Sequence, residues 1–293
     1  MNTSQLIQTI VERVQPIAGV QAIVLGGSRA HGTHTPTSDI DLGIYYHPAA
    51  ALDLAALAQV ATAIDDEHRA ELVTGIGGWG PWINGGGWLH VQSIPVDFLY
   101  RDLDKVARII SDCHQGQFEI AYQPGHPYGF VSSIYMAEIA LCQPLWDPFD
   151  TIAALKAQTQ PYPNALKHAI VKQCSWEAEF SLQVAQKSVS RGDVAYAAGC
   201  CFRCVACLAQ TLFALNEHYW MNEKGAVALA ATFAQCPPNF KARVEQAFRQ
   251  LDATAEAIAG AISTLEGLVQ ETHALVIGLR EEPRTETNEE PRT

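Results

Sequence analysis

The sequence predicts an α+β protein in which a strand-containing N-terminal half precedes an all-α helical bundle. Short apolar runs in the first hundred residues end in glycine-rich turns, as buried strands do. From about residue 164 onward only helical patterns remain, and they are rich in alanine and joined by short turns. Between these parts, the stretch from Pro144 to Pro163 contains four prolines, which helices and central strands disfavour.

These observations divide the chain into three parts. We expect a catalytic domain over residues 1–150, a helical bundle domain over residues 151–280 and a disordered tail over residues 281–293. The tail repeats the letters EEPRT around TETN and has no apolar side chain with which to form a core.

Hydrophobic spacing predicts the individual elements in chain order. Leu6, Ile10 and Val14 share one stripe of a helix, and the apolar run before Gly26 has the length of a buried strand. The predicted helices cover residues 3–17, 53–68, 101–119, 132–142, 164–190, 193–219, 223–234 and 239–279, and the predicted strands cover 22–25, 39–46, a hairpin over 87–100, and 118–124.

Residues 74–88 contain seven glycines, a proline and three tryptophans, so we expect no regular element there. Two interpretations stay open. In the first, the segment is functional, and either Trp79 or Trp82 stacks on a base or the whole segment acts as a lid. In the second, the tryptophans only cover the edge of the core.

Residues 22–46 carry most of the chemical information. The turn Gly26-Gly27-Ser28 lets backbone N–H groups approach a phosphate, and the serine hydroxyl adds a donor. Asp39 and Asp41 lie two residues apart on the next strand, so both carboxylates leave one face. Adjacent carboxylates repel unless a cation lies between them, and Mg²⁺ with oxygen ligands is the usual cation. The pattern predicts a site for a nucleoside triphosphate.

Gly27-Ser28, ten further residues and Asp39-x-Asp41 resemble the signature of the nucleotidyltransferase superfamily, whose best-known member is DNA polymerase beta. The resemblance implies a mixed sheet, two Mg²⁺ ions and a third carboxylate on a neighbouring strand, which Asp97 matches in the segment Val-Asp-Phe. It also implies that the three aspartates are catalytic metal ligands and that Gly27 and Ser28 bind the nucleotide. A solvated acid in a turn is a credible alternative for Asp39 alone. It is a poor alternative for Asp41 and Asp97, which lie inside apolar strands, because a buried unpaired carboxylate is costly.

The order of the two domains resembles that of antibiotic nucleotidyltransferases of the kanamycin and lincosamide type. In those enzymes a helical C-terminal domain donates a glutamate that deprotonates the acceptor hydroxyl. Glu177 is the candidate here, because it interrupts an inward stripe that includes Cys174 and Ser181. An interdomain salt bridge is an equal alternative for Glu177, and Asp97 is a second candidate for the base.

Two basic residues are candidates for phosphate binding. Arg29 directly follows Ser28 and can pair with a phosphate. Lys224 lies in a turn between helices, where relatives have a lysine of similar placement that reaches the nucleotide. An exposed turn lysine is the alternative for Lys224.

Composition limits the class of partner. Apolar residues make up 48% of the 293 residues, charged residues make up 17%, and the net charge is −12. The chain therefore looks like a globular cytoplasmic protein with no membrane partner, and the negative charge disfavours nucleic-acid backbones and favours a small, cationic acceptor. Cys200, Cys204 and Cys207 follow helical spacing in an apolar run, so we expect core packing rather than a metal site.

The sequence thus predicts an enzyme that moves a nucleoside monophosphate from an NTP, with ATP as our choice, to a hydroxyl of a small molecule such as an aminoglycoside or lincosamide. One alternative is a nucleotidyltransferase that acts on a protein or on tRNA, as toxin–antitoxin members do. Another is a noncatalytic nucleotide-binding regulatory module. The resemblance also allows a homodimer.

Overall fold

The computed structural model describes residues 2–32 and 34–281, which fold as two compact units. The first unit contains the described residues up to Lys167 together with Tyr219–Asn222. The second contains His168–His218 and the described residues from Glu223 onward. The tail predicted for residues 281–293 lies outside the described residues, except that Glu281 ends the last helix.

A five-stranded mixed sheet forms the centre of the first unit. Its strands are β1 (Val20–Leu25), β2 (Ile40–Tyr46), β3 (Gly86–Val91), β4 (Ile94–Asp102) and β7 (Gln143–Trp146), and a separate pair joins β5 (Ile120–Ala121) to β6 (Phe130–Val131). The order across the sheet is β3-β4-β2-β1-β7. Only the central pair β2 and β4 is parallel; the other neighbours are antiparallel. The predicted α+β class and mixed sheet are confirmed.

One face of this sheet carries the main core. Residues at alternate positions, such as Ile40, Leu42 and Ile44 on β2, are almost fully buried there. Helices α1 (Thr3–Val14) and α3 (Leu54–Ile64) contribute apolar side chains to the same core. The strong stripe of α1 is therefore explained by burial on the sheet.

The first unit contains five further helical segments. They are α2 (Gly27–Ala30), α4 (Gly80–Ile83), α5 (Leu103–His114), α6 (Ile134–Leu141) and α7 (Thr151–Ala157), and α8 (Asn164–Val189) begins in this unit. The Lys156 ammonium on α7 donates to the carbonyls of Ala140 and Cys142 at 2.6 and 2.7 Å, which satisfies the C-terminal end of α6.

The described residues of the second unit contain helices joined by turns and no strand. After α8 come α9 (Val194–Leu215), α10 (Ala226–Ala230), α11 (Phe240–Gln250) and α12 (Ala255–Glu281). α9 is the one described helix that is long and apolar enough to cross a membrane, but 72% of its most apolar window is buried within the protein. Such burial is what the core helix of a soluble protein shows. Cys204 and Cys207 are fully buried in α9, in agreement with core packing, whereas Cys200 is partly exposed.

Two sequence expectations about elements are wrong. Residues 239–279 do not form one helix, because Leu251 leaves helical geometry and Thr254 accepts a hydrogen bond from the N–H of Ala257 at the start of α12. Residues 74–88 do contain regular structure, since α4 lies within them and β3 begins at Gly86, one residue before the predicted hairpin. There, pairing with β4 overrides the low strand propensity of glycine.

Candidate active site

The turn after β1 places its backbone against a carboxylate. Gly27 has a φ of +58°, and a Cβ added there would lie 1.8 Å from Oδ2 of Asp41. The N–H of Gly26 donates to the main-chain carbonyl of Asp41 at 2.8 Å, which ties the turn to β2. Glycine suits position 27, because the positive φ strains other residues and a Cβ there would displace the Asp41 carboxylate.

Two of the three predicted carboxylates lie side by side on the sheet. Asp41 on β2 and Asp97 on β4 are aligned residues of the parallel pair, so their side chains leave the same face. This face is opposite to the main core, and both carboxylates are half-buried. Asp39 is exposed and directly precedes β2, which begins at Ile40, one residue later than predicted.

The carboxylates also interact electrostatically. Burial, followed by the negative charges of Asp41 and Asp39, raises the pKa of Asp97 to about 7. A cation between these groups would remove the repulsion, and a donor set made only of carboxylate oxygens suits Mg²⁺.

Within residues 2–32 and 34–281, no three His, Cys, Asp or Glu side chains converge closely enough to enclose an ion. The donor set still fits Mg²⁺, since this ion takes one or two protein carboxylates and completes its shell with water and substrate phosphates. The assignment of Asp39, Asp41 and Asp97 as ligands stays a prediction.

Arg29 supports the segment that leads to Asp39. Its guanidinium donates to the carbonyl of Ser38 at 2.5 and 3.1 Å and to the carbonyl of Asp39 at 2.9 Å. Arg29 therefore positions the backbone beside the carboxylates, and the pairing with a phosphate predicted from the sequence stays a prediction. Ser28 is half-buried in α2, next to Gly27.

A cavity of about 210 Å³ opens beside Gly27 and Asp41 on the same sheet face. Arg101 of β4 and Glu138 of α6 lie in its wall and form a two-pronged ion pair, with both N–O distances 2.6 Å. Burial lowers the pKa of Arg101, but the charge and hydrogen bonds of Glu138 outweigh it and raise that pKa above its usual value. Arg101 also donates to the carbonyl of Ile83, so the guanidinium is well satisfied.

Glu177 and Lys224 belong to the second unit. Glu177 is buried on α8, and its carboxylate forms an ion pair with Arg203 of α9. The predicted inward stripe is correct, since Cys174 and Ser181 are buried as well. Lys224 is exposed in the turn before α10. The catalytic role of Glu177 and the phosphate role of Lys224 stay predictions.

Comparison with known protein families identifies the part of the chain that contains the Gly27 turn and Asp41. Residues 4–74 match the model of the nucleotidyltransferase domain family. The N-terminal part of this chain is a nucleotidyltransferase domain. The match includes the turn at Gly27 and both residues of the Asp39-x-Asp41 pattern, so the superfamily predicted from the sequence is confirmed.

Other comparisons are less specific than the nucleotidyltransferase match. Residues 131–224 match DUF4037, a domain family of unknown function. No curated protein matches the chain. A solved nucleotidyltransferase-like protein from Exiguobacterium sibiricum is similar over 97% of this chain and 81% of its own, with 12% identity and a TM-score of 0.46.

Sequence reasoning missed Arg101 and Glu138. Arg101 lies on the same face of β4 as Asp97, four residues away, and this period-two spacing was the available signal. Glu138 is a single acid within the apolar helix α6, which also marked it as a residue that needs a partner. Their pairing joins two elements that are distant in the chain, so spacing alone did not predict it.

Proposed function

We propose that this protein transfers a nucleoside monophosphate from an NTP, with ATP as the preferred donor, to a hydroxyl of a small molecule. The observation that carries the proposal is the row formed by the Gly27 turn, Asp41 and Asp97 across three strands of one sheet face. The nucleotidyltransferase match over residues 4–74 supports the same reaction class.

Each part of this row has a separate task. The glycine turn and Ser28 receive the phosphates of the NTP, because main-chain N–H groups there can approach an anion closely. Asp39, Asp41 and Asp97 would hold Mg²⁺, which when bound would neutralise the charge of the phosphates and of the leaving pyrophosphate. Arg29 fixes the backbone of Ser38 and Asp39, from which the first carboxylate projects.

We assign the role of general base to Asp97, whose carboxylate oxygen accepts the proton of the acceptor hydroxyl. In the order of the strands, Asp97 lies on the side of Asp41 away from the glycine turn, so we assign this side to the acceptor. Glu177 has Arg203 as its partner in the second unit and is the weaker candidate for this step. The net charge of −12 favours a small and cationic acceptor, such as an aminoglycoside-like or lincosamide-like compound.

The test has a binding arm and a transfer arm. Isothermal titration measures ATP binding with and without Mg²⁺, and α-labelled ATP is incubated with lysate fractions of small molecules, RNA and protein plus an antibiotic panel. We expect Mg²⁺-dependent binding and label in the small-molecule fraction. Asp41→Asn and Asp97→Asn should each reduce transfer at least about a hundredfold, because a misplaced phosphate alone costs that much.

Asp104→Asn is the matched control. Asp104 is an exposed aspartate that pairs with His47 at 3.1 Å, and such surface pairs contribute little to stability. Full transfer by Asp41→Asn would refute the assignment of the carboxylates. Label only in the RNA or protein fraction would refute the acceptor class, and tight ATP binding without transfer to any fraction would refute the enzymatic proposal.

A further inference from the structure

Trp88 lies in line with the candidate catalytic carboxylates. It is the residue of β3 directly opposite Asp97 of β4, and directly opposed residues of an antiparallel pair place their side chains on the same face. Its neighbour Leu89 is buried on the other face, in the main core. The Trp88 side chain therefore belongs to the face that carries Asp41 and Asp97.

The Trp88 indole is 62% exposed, although most tryptophans are largely buried in folded proteins. Its ring stacks on that of Trp79, with 4.6 Å between ring centroids and an interplanar angle of 21°. Two adjacent indoles therefore present apolar area beside a group of carboxylates. We call the stacked rings of Trp79 and Trp88 the indole pair.

The backbone around the indole pair is built to hold it. A Cβ on Gly86 would lie 2.8 Å from the Trp79 ring and 1.8 Å from the carbonyl oxygen of Phe98, so only glycine leaves room for the ring. The Gln123 side chain donates to the Trp79 carbonyl at 3.0 Å. Asn84, in turn, donates to the Tyr46 hydroxyl at 2.8 Å. The Asn84 bond ties the glycine-rich segment to β2, and the Gln123 bond ties the Trp79 backbone to the segment that follows β5.

The order of the strands places the indole pair on the acceptor side of the site. Reading across the sheet, Gly27 follows β1, Asp41 lies on β2, Asp97 on β4 and Trp88 on β3. Neighbouring strands lie about 4.8 Å apart, so Trp88 is one strand beyond Asp97 and about 10 Å from Asp41. The glycine turn, which receives the phosphates in the proposed function, lies on the opposite side of both carboxylates. A group on the indole pair is thus separated from the phosphates by the carboxylates.

We propose that the indole pair binds a ring of the small acceptor by stacking and presents the ring's hydroxyl to the α-phosphate beside Asp97. This inference rests on the proposed function and specifies the substrate, which is a hydroxylated ring compound with a flat C–H or aromatic face. Ammonium groups on the ring would add cation–π attraction to the indoles. The Gly/Trp segment of residues 74–88 is therefore a binding element for the acceptor.

The experiment measures ring binding separately from nucleotide chemistry. Kanamycin A and lincomycin are titrated by calorimetry against the wild-type protein, Trp88→Ala and Trp88→Phe, and ATP with Mg²⁺ is titrated against the same proteins. We expect saturable binding of at least one compound to the wild type and about a tenfold or greater loss of its affinity in Trp88→Ala. Trp88→Phe keeps an aromatic face and should stay within about threefold of the wild type. The affinity for ATP with Mg²⁺ should not change.

Trp176→Ala is the matched control, because Trp176 is also exposed and stacks on Phe180 at 5.1 Å, but in the second unit. It should bind the ring compound as the wild type does. Equal loss in Trp176→Ala and Trp88→Ala would overturn the proposal, and so would unchanged ring binding in Trp88→Ala or the binding of neither compound to the wild type. A loss of ATP affinity in Trp88→Ala would assign the indole pair to the nucleobase and overturn it as well. If Trp88→Ala shows a reduced melting temperature, Trp88→Phe is compared with Trp88→Leu. The phenylalanine keeps an aromatic face and the leucine keeps only apolar bulk, so only Trp88→Phe should retain ring binding.

The two arms also separate this inference from the proposed function. Failure of the wild type to bind ATP with Mg²⁺ counts against nucleotidyl transfer. The titrations with kanamycin A and lincomycin still test the indole pair in that case. Normal ATP binding and transfer with unaltered ring affinity in Trp88→Ala counts against the indole pair alone.

Discussion

Replacing Gly27 by alanine tests whether the turn after β1 and the Asp41 carboxylate form one site. The new Cβ would lie 1.8 Å from Oδ2 and 2.6 Å from Cγ of Asp41, whereas ordinary contact begins at 3.4 Å. The carboxylate or the turn must therefore move by about 1.6 Å. The turn cannot simply withdraw, because the N–H of Gly26 donates to the Asp41 carbonyl at 2.8 Å.

The cost can be divided into two parts. Alanine at a φ of +58° costs about 1–2 kcal/mol of unfolding free energy, because the left-handed region is unfavourable for residues with a Cβ. Forcing the Asp41 side chain off its rotamer adds about 0.5–1.5 kcal/mol. We expect Gly27→Ala to lose about 2–3 kcal/mol of stability and, because reacting groups tolerate little displacement, about a hundredfold of nucleotidyl transfer.

Gly32→Ala is the matched control. Gly32 also has a positive φ, +69°, but a Cβ added there meets nothing within 4 Å. It carries the backbone cost without the clash on Asp41. Urea unfolding and transfer of α-labelled ATP are measured for both variants. If Gly27→Ala keeps more than about a third of wild-type transfer, or if Gly32→Ala loses as much, the close contact at Asp41 does not matter for the reaction.

Three further changes test the surroundings of the site. Arg29→Ala should raise the dissociation constant of ATP with Mg²⁺ about tenfold, as measured by calorimetry. Arg29→Lys should not restore the affinity, because one ammonium cannot replace the guanidinium fork. Wild-type affinity in Arg29→Lys would contradict this. Glu138→Gln should lower the free energy of unfolding in urea by about 3–5 kcal/mol, because buried Arg101 loses its charged partner; a loss below about 1 kcal/mol would contradict it. Asp65 is buried and its pKa is lowered, first by the hydrogen bonds of Arg69, so its contribution to stability is present above about pH 4 and is lost as the pH falls. Asp65→Asn should therefore unfold more easily at pH 7 and show a smaller loss of stability on acidification, and an unaltered pH profile would count against the ion pair.

The helices of the second unit and the strands around Gly27 could be predicted because their signals are local. Apolar spacing over a dozen residues predicts a helix, and an apolar run before a glycine pair predicts a buried strand. The positions of Asp39, Asp41 and Asp97 within or next to strands followed from the same patterns. The break between α11 and α12 was missed, because one extended residue and one threonine cap interrupt an otherwise continuous helical pattern.

The Gly/Trp segment was the least predictable part of the site. Its composition argued against regular structure up to residue 88, and the hairpin predicted over 87–100 did not specify the register that sets Trp88 opposite Asp97. The register of that hairpin depends on contacts with β4 and on the anchoring of Asn84 to Tyr46. No local pattern contains this information, so the sequence by itself points to Trp79 and Trp82 as stacking residues and not to Trp88.

By itself, the sequence determined the superfamily, the α+β class and the residue types of the site, because these depend on short motifs and on hydrophobic spacing. The tertiary structure decided which residues share a face and an order across the sheet. That order brings Asp41 beside Asp97 and places Trp88 on the side away from the glycine turn. Packing of α6 within the first unit pairs Glu138 with Arg101 of β4. Strand order and register come from burial and backbone pairing between distant segments, and no single stretch of chain specifies them.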